Sequence, residues 1–228
     1  MMHELDSPVR SSLDGPHRHQ ALRVGRAARY CPTVTPFAAV VDDRSGAAWN
    51  DLAELASGDA VALFATPPSR VPDRWRIEAH LECLQLVETP TLALALGGAA
   101  DVVDLGLDDV PAMLELVEQT HPGPFLEHTV DLGGYIGVRD ELGRLVAMAG
   151  RRLATGGWRE ISAVCTSPAH RGRGLARRLV AIAAARIKDE GERPFLHVTA
   201  GNPAIALYDA MGFELRSTID VVVVRHGE

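Results

Sequence analysis

Apolar and polar positions change rhythm several times along the chain. Two short apolar runs, TVTPFAAVV and AVALFAT, have the length and composition of buried strands. Between them, AAWNDLAELAS sets Trp49, Leu52, Ala53 and Ala56 at helical spacing, and Gly58 follows as a stop. TPPSRVPDRW is a proline-rich loop. RIEAHLECLQLVE alternates well enough to predict a strand around Leu84 and Leu86, with a helix as the open alternative. The opening segment, MMHELDSPVRSSLDGPHRHQ, shows no such rhythm and no apolar stretch of the signal-peptide kind, so it is expected to be a partly mobile terminus.

Beyond residue 100 the pattern is clearer. VVDLG predicts a strand, and DDVPAMLELVEQ a helix with Asp108 or Asp109 at its cap and Pro111 in its first turn. HPGPF breaks it. Three apolar segments follow, Tyr135 to Arg139, Leu145 to Arg151 and Glu160 to Thr166, joined by the turn-like DELG and ATGG, which together predict an antiparallel meander. After HRGRGLA, the residues Leu175, Leu179, Ile182, Ala183 and Ile187 share one helical face, ended by Gly191 and Pro194. FLHVTA then reads as a strand, PAIALYDAMGF as a short helix stopping at Gly212, and IDVVVVRH as a last strand. The best boundary is the small-residue break GGAAD at Gly97 to Asp101. It divides an N-terminal α/β region, 1–98, from a second domain, 99–228. The expected fold class is α/β with a mixed sheet: a meander followed by a parallel βαβ crossover, preceded by the smaller α/β region.

Composition narrows the function. The chain has 228 residues, 46% hydrophobic, enough for a substantial core. A formal net charge of −7 argues against a general nucleic-acid binder. Cys31, Cys83 and Cys165 are far apart and odd in number and make neither a metal spacing nor a disulfide framework, so no metal is expected and the cysteines read as small buried residues in a reducing compartment. No apolar run reaches the roughly 18 residues of a membrane helix. A cytoplasmic protein that binds neither nucleic acid nor membrane is the expectation, with a homodimer among the compatible assemblies.

Gly172 and Gly174 stand where a helix is about to begin, although glycine costs a helix about 1 kcal/mol relative to alanine. The first N–H groups of a helix have no internal partner, and the helix dipole adds positive charge, so such a terminus binds phosphate. Glycines there let the anion approach the amides, with Arg171 and Arg173 adding charge. The segment lacks the GxxxxGK[ST] of a P-loop, and Arg177 stands where a dinucleotide fingerprint needs its third small residue.

RGRGLA, Arg171 to Ala176, matches the R/Q-x-x-G-x-G/A signature of the GNAT N-acetyltransferases, and ALYDAMGF, Ala206 to Phe213, resembles their second signature. The two occur in the right order with a strand between them, and the resemblance covers roughly Val102 to Val224; residues before Gly97 carry no such motif, although a degenerate GNAT-like half would fit their short strands. It implies that acetyl-CoA is the acyl donor, its pyrophosphate cradled by Arg171, Gly172, Arg173, Gly174, Leu175 and Ala176. It also implies that the backbone of Val164, Cys165 and Thr166, at the end of a bulged and splayed strand, lies along pantetheine. Tyr208 resembles the family's general acid, which protonates the departing thiolate. Glu160 is the candidate general base, and equally a strand-end charge able to pair with Arg151, Arg152 or Arg159. Asn202 lies one residue beyond the family's pantetheine-binding asparagine, so it contacts the cofactor or simply caps the next helix. His170 is expected to pack over the loop and His197 to sit in the core. Glu127 and His128, in the loop after the first helix of this half, are further candidates for acceptor contact. The implied activity is transfer of an acetyl group from the CoA thioester to an amine acceptor. A non-catalytic CoA-binding regulatory module is the alternative, and an adaptor built on the N-terminal half is a third reading.

Overall fold

A computed structural model describes residues 3–41, 45–65, 70–94 and 101–227. In chain order these form α1 (Pro8–Asp14), β1 (Ala21–Val24), β2 (Ala27–Tyr30), β3 (Phe37–Val40), α2 (Gly46–Ala56), β4 (Val61–Ala65) and β5 (Trp75–Glu88). There follow β6 (Val102–Leu105), α3 (Val110–Thr120), β7 (Tyr135–Arg139), β8 (Leu145–Thr155), β9 (Trp158–Thr166), α4 (Leu175–Asp189), β10 (Arg193–Thr199), α5 (Ala204–Met211) and β11 (Phe213–His226). The expected boundary at Gly97 to Asp101 lies outside the described residues except for Asp101.

All the described strands join one sheet in the order β1-β2-β3-β4-β11-β5-β10-β9-β8-β7-β6. β7, β8 and β9 are the expected antiparallel meander. α4 then carries the chain back so that β10 runs parallel to β9, the crossover connection that parallel neighbours require. The N-terminal part repeats the scheme: β1, β2 and β3 are antiparallel, α2 crosses over, and β4 runs parallel to β3. The two last strands are exchanged. β5 pairs with β10 on one side, and β11 pairs with β4 on the other, while β5 and β11 pair with each other along their whole length.

Apolar side chains fill both faces. α4 turns Leu179, Val180, Ala183, Ala184 and Ile187 onto Ile136, Ile161, Leu196 and Val198. On the opposite face Leu5, Val9 and Leu13 pack with Tyr30, Phe37, Leu153 and Phe195. The opening segment is therefore structured, contrary to the expectation of a mobile terminus. Leu5, Val9 and Leu13 repeat every four residues and are all but fully buried, so removing them from water holds α1 on the sheet.

Candidate active site

β9 and β10 begin as neighbours and then part. Their ladder pairs Arg193 with Trp158, Pro194 with Arg159 and Phe195 with Glu160, and stops there, although β9 continues to Thr166 and β10 to Thr199. β10 stays with β5 through Thr199. β9 carries a bulge at the divergence: Met148 opposes Cys165 and Gly150 opposes Ser162, leaving Ala163 and Val164 together against Ala149. Ala163 adopts φ 51°, a left-handed conformation costly for a residue with a Cβ.

The turn into α4 closes one end of the gap. Gly172 and Gly174 sit at φ 75° and 73° and need to be glycine for that reason. Chain neighbours aside, a Cβ built on either would meet no atom of the described residues within 4 Å. The space above these two backbones is thus open to a ligand. Gly174 caps α4 without a side-chain hydrogen bond, so the amides of Leu175, Ala176 and Arg177 face that space without an intrahelical acceptor. These features fit a bound diphosphate.

A cleft of about 790 Å³ runs from this turn through the divergence, a size suited to a small-molecule ligand. Of the sequence candidates, Val164, Cys165, Thr166, Arg171, Gly172, Gly174, Leu175, Ala176, Asn202 and Tyr208 all line it. Arg173 does not; it lines an adjoining hollow with Arg139, Arg144 and His170. Thr166 Oγ1 is buried without a hydrogen-bond partner among the described residues, and burial pushes the Cys165 thiol up to about 11. Asn202 Oδ1 accepts from the amide of Ala204 (2.9 Å), so its side chain caps α5. Tyr208 is 6% exposed, and burial pushes its hydroxyl up to about 12. Glu127 and His128 are not among the lining residues, whereas Thr120 to Gly123, at the end of α3, are.

A protein from the GNAT family of Novosphingobium aromaticivorans DSM 12444 is 35% identical to this chain, with both chains covered in full and a TM-score of 0.88. The chain belongs to the GNAT family. The FR47-like protein family model matches residues 135–222 of it, the stretch from β7 into β11. The fold of a GCN5-related N-acetyltransferase from Kribbella flavida is also similar, at 19% identity and a TM-score of 0.62, covering 96% of this chain and 95% of the other. A search of curated proteins finds no match.

The cleft has a second wall, where β8, β9 and β10 bury a polar chain. Glu160 is fully buried. Its carboxylate accepts from Arg152 Nε (2.9 Å) and Nη2 (2.8 Å), from the amide of Leu153 (3.2 Å) and from His197 Nδ1 (2.7 Å). Burial alone would raise its pKa. The Arg152 guanidinium and the hydrogen bonds overcome that and hold the carboxyl far below the usual carboxylate range. A base in that position has no lone pair or basicity to offer an amine, so Glu160 is placed to hold Arg152 rather than to take a proton.

The same chain fixes His197. Arg216 Nη1 donates to Gln85 Oε1 (2.8 Å), and arginine cannot accept, so the Gln85 amide nitrogen faces the other way. That nitrogen donates to Leu5 O (2.9 Å) and to His197 Nε2 (3.0 Å). His197 therefore takes the Nδ1–H tautomer, assigned from its neighbours, and its remaining lone pair is occupied. Arg216 is anchored in turn on Asp6 (2.6 Å), in the N-terminal segment. Arg152 and His197 both line the cleft. Sequence reading left Arg152 as one of three possible partners of Glu160. Its signal was the alternation of β8, which turns one arginine of the pair Arg151 and Arg152 inward.

Proposed function

We propose that this chain is an acyltransferase that moves an acetyl group from acetyl-CoA directly to an amine. The observation that carries the reading is the convergence, in one cleft, of the open α4 turn, the divergence of β9 from β10 and the hydroxyl of Tyr208. In this reading the amides of Leu175 to Arg177 and the Arg171 side chain hold the pyrophosphate. Backbone groups of β9 beyond Glu160, freed from β10, hold the pantetheine arm and polarise the thioester carbonyl. Such electrostatic support is commonly worth roughly 3 kcal/mol.

The amine nitrogen forms a bond to the carbonyl carbon, and the carbon–sulfur bond breaks. Tyr208 gives its proton to the departing thiolate and regains one from solvent. Burial keeps the phenol protonated at neutral pH, which suits a donor. The amine's own proton passes to water. With Glu160 fixed on Arg152, and the His197 lone pair on Gln85, neither side chain serves as base.

Tyr208 has no hydrogen-bond partner among the described residues and is not one of the sealed, unpartnered polar atoms, so its hydroxyl opens into the cleft. This favours a catalyst over a non-catalytic CoA-binding module. Free thiol released from acetyl-CoA with a broad panel of amines tests the choice. Turnover is expected, with kcat about a hundredfold lower in Tyr208→Phe and acetyl-CoA binding retained. Binding without thiol release on any amine would overturn the enzyme reading in favour of the module.

A further inference from the structure

We propose that Arg152 receives a carboxylate carried by the acyl acceptor, so that the amine acetylated is an amino acid or a close analogue of one. The inference rests on the acetyltransferase reading above and names the substrate class of the same cleft.

Arg152 is 8% exposed and lines the cleft. Its Nε and Nη2 are committed to the two oxygens of Glu160. Nη1 has no partner among the described residues, and it is not one of the buried polar atoms sealed away from every partner. Its N–H groups are therefore offered to the cleft. The guanidinium is also held in place. The Phe37 ring lies 4.7 Å from its Cζ, and the Glu160 carboxylate that grips it is itself gripped by Leu153 and His197. A fixed, largely desolvated guanidinium edge is a directional receptor for a carboxylate, and such charge-assisted hydrogen bonds are about twice as strong as neutral ones.

The charge of the cleft points the same way. Arg171 and Arg177 stand at the turn the pyrophosphate takes; Arg152 is the arginine lining the rest of the cleft, and no aspartate or glutamate lines it among the described residues. A polyamine, or the side chain of a lysine, would bring positive charge without meeting an acid. The chain's net charge of −7 would suggest a cationic acceptor, but that excess acidity lies elsewhere on the molecule. Glu160 balances Arg152 from behind, without lining the cleft, and leaves the outer edge of the guanidinium to an incoming anion.

The test compares the wild-type protein with Arg152→Lys. Thiol release is measured with α- and ω-amino acids and with their matching carboxamides. Binding of N-acetyl amino acids and N-acetyl amino amides to the CoA-loaded protein is measured by calorimetry. The carboxylates are expected to show at least tenfold higher kcat/KM than the amides, and the acetylated acids at least tenfold tighter binding. In Arg152→Lys, which keeps a cation for Glu160, both ratios should shrink toward one while acetyl-CoA still binds. Turnover with amides as efficient as acids would overturn the carboxylate site and leave the acetyltransferase reading standing. Tight binding of the acids without thiol release from any amine would overturn the acetyltransferase reading and keep the carboxylate site. Equal binding of acids and amides overturns the site whether or not turnover occurs.

Discussion

Glu160 and Tyr208 are both buried, and burial acts on them in the same direction, against charge. Tyr208 has nothing opposing that push and stays a phenol; Glu160 has Arg152 and His197 and stays a carboxylate. The difference was invisible in the sequence, where Glu160 stood at the edge of an apolar strand with three arginines in reach. Tyr208 was legible because a family signature surrounds it. Tyr30, Tyr135 and Tyr208 are the chain's three tyrosines, and burial raises all of them. An unfolded tyrosine ionises near pH 10, whereas Tyr208 does so at about 12. Between those values the unfolded chain binds fewer protons than the native one, so stability is intact below about pH 10 and falls as pH rises through that window. Ultraviolet titration of the native protein is expected to show no tyrosinate near pH 10, the first appearing only toward pH 12 or on unfolding. Phenolate appearing near pH 10 on the folded protein would show the rings to be exposed.

At the scale of elements, periodicity revealed what is local and long. α3, α4 and the β7–β9 meander were legible because each spans enough residues for its rhythm to repeat, and each ends in recognisable turn chemistry. α1, β1 and β2 were not. They have seven, four and four residues, and β2 buries Arg29, which reads as polar in the sequence but is 2% exposed beside Asp59 and the carbonyls ending α2. The α4 turn was legible because glycines before a strongly amphipathic helix break a local preference for no local gain. The divergence of β9 and β10 came only from resemblance. Nothing in VCTS or HVTA says that their ladder stops at Glu160 and Phe195.

At the scale of the molecule, strand order was beyond sequence reading, since alternation identifies strands without naming their neighbours. The exchange of last strands makes the two halves interdependent. β5, from the N-terminal half, stands between β10 and β11, and its pairing partner Val198 adjoins the cleft-lining Thr199. The N-terminal segment also reaches the site chemically, through Asp6, Arg216, Gln85 and His197. A fragment beginning after Gly97 loses β5 and exposes the backbone of both its neighbours. It is expected to be insoluble or molten by near-ultraviolet circular dichroism, without a response to acetyl-CoA. A soluble fragment that turns over would mean that the C-terminal half folds alone.

In the proposed function, bare amides at the start of α4 hold the diphosphate of the acyl donor. Isothermal titration of acetyl-CoA into the wild-type protein and Gly174→Val tests it most directly, because valine fills the open space above the turn and cannot easily keep φ 73°. One site per chain is expected in the wild type, with affinity reduced at least tenfold in a variant whose circular dichroism shows it still folded. Equal affinity in the two proteins would contradict the account.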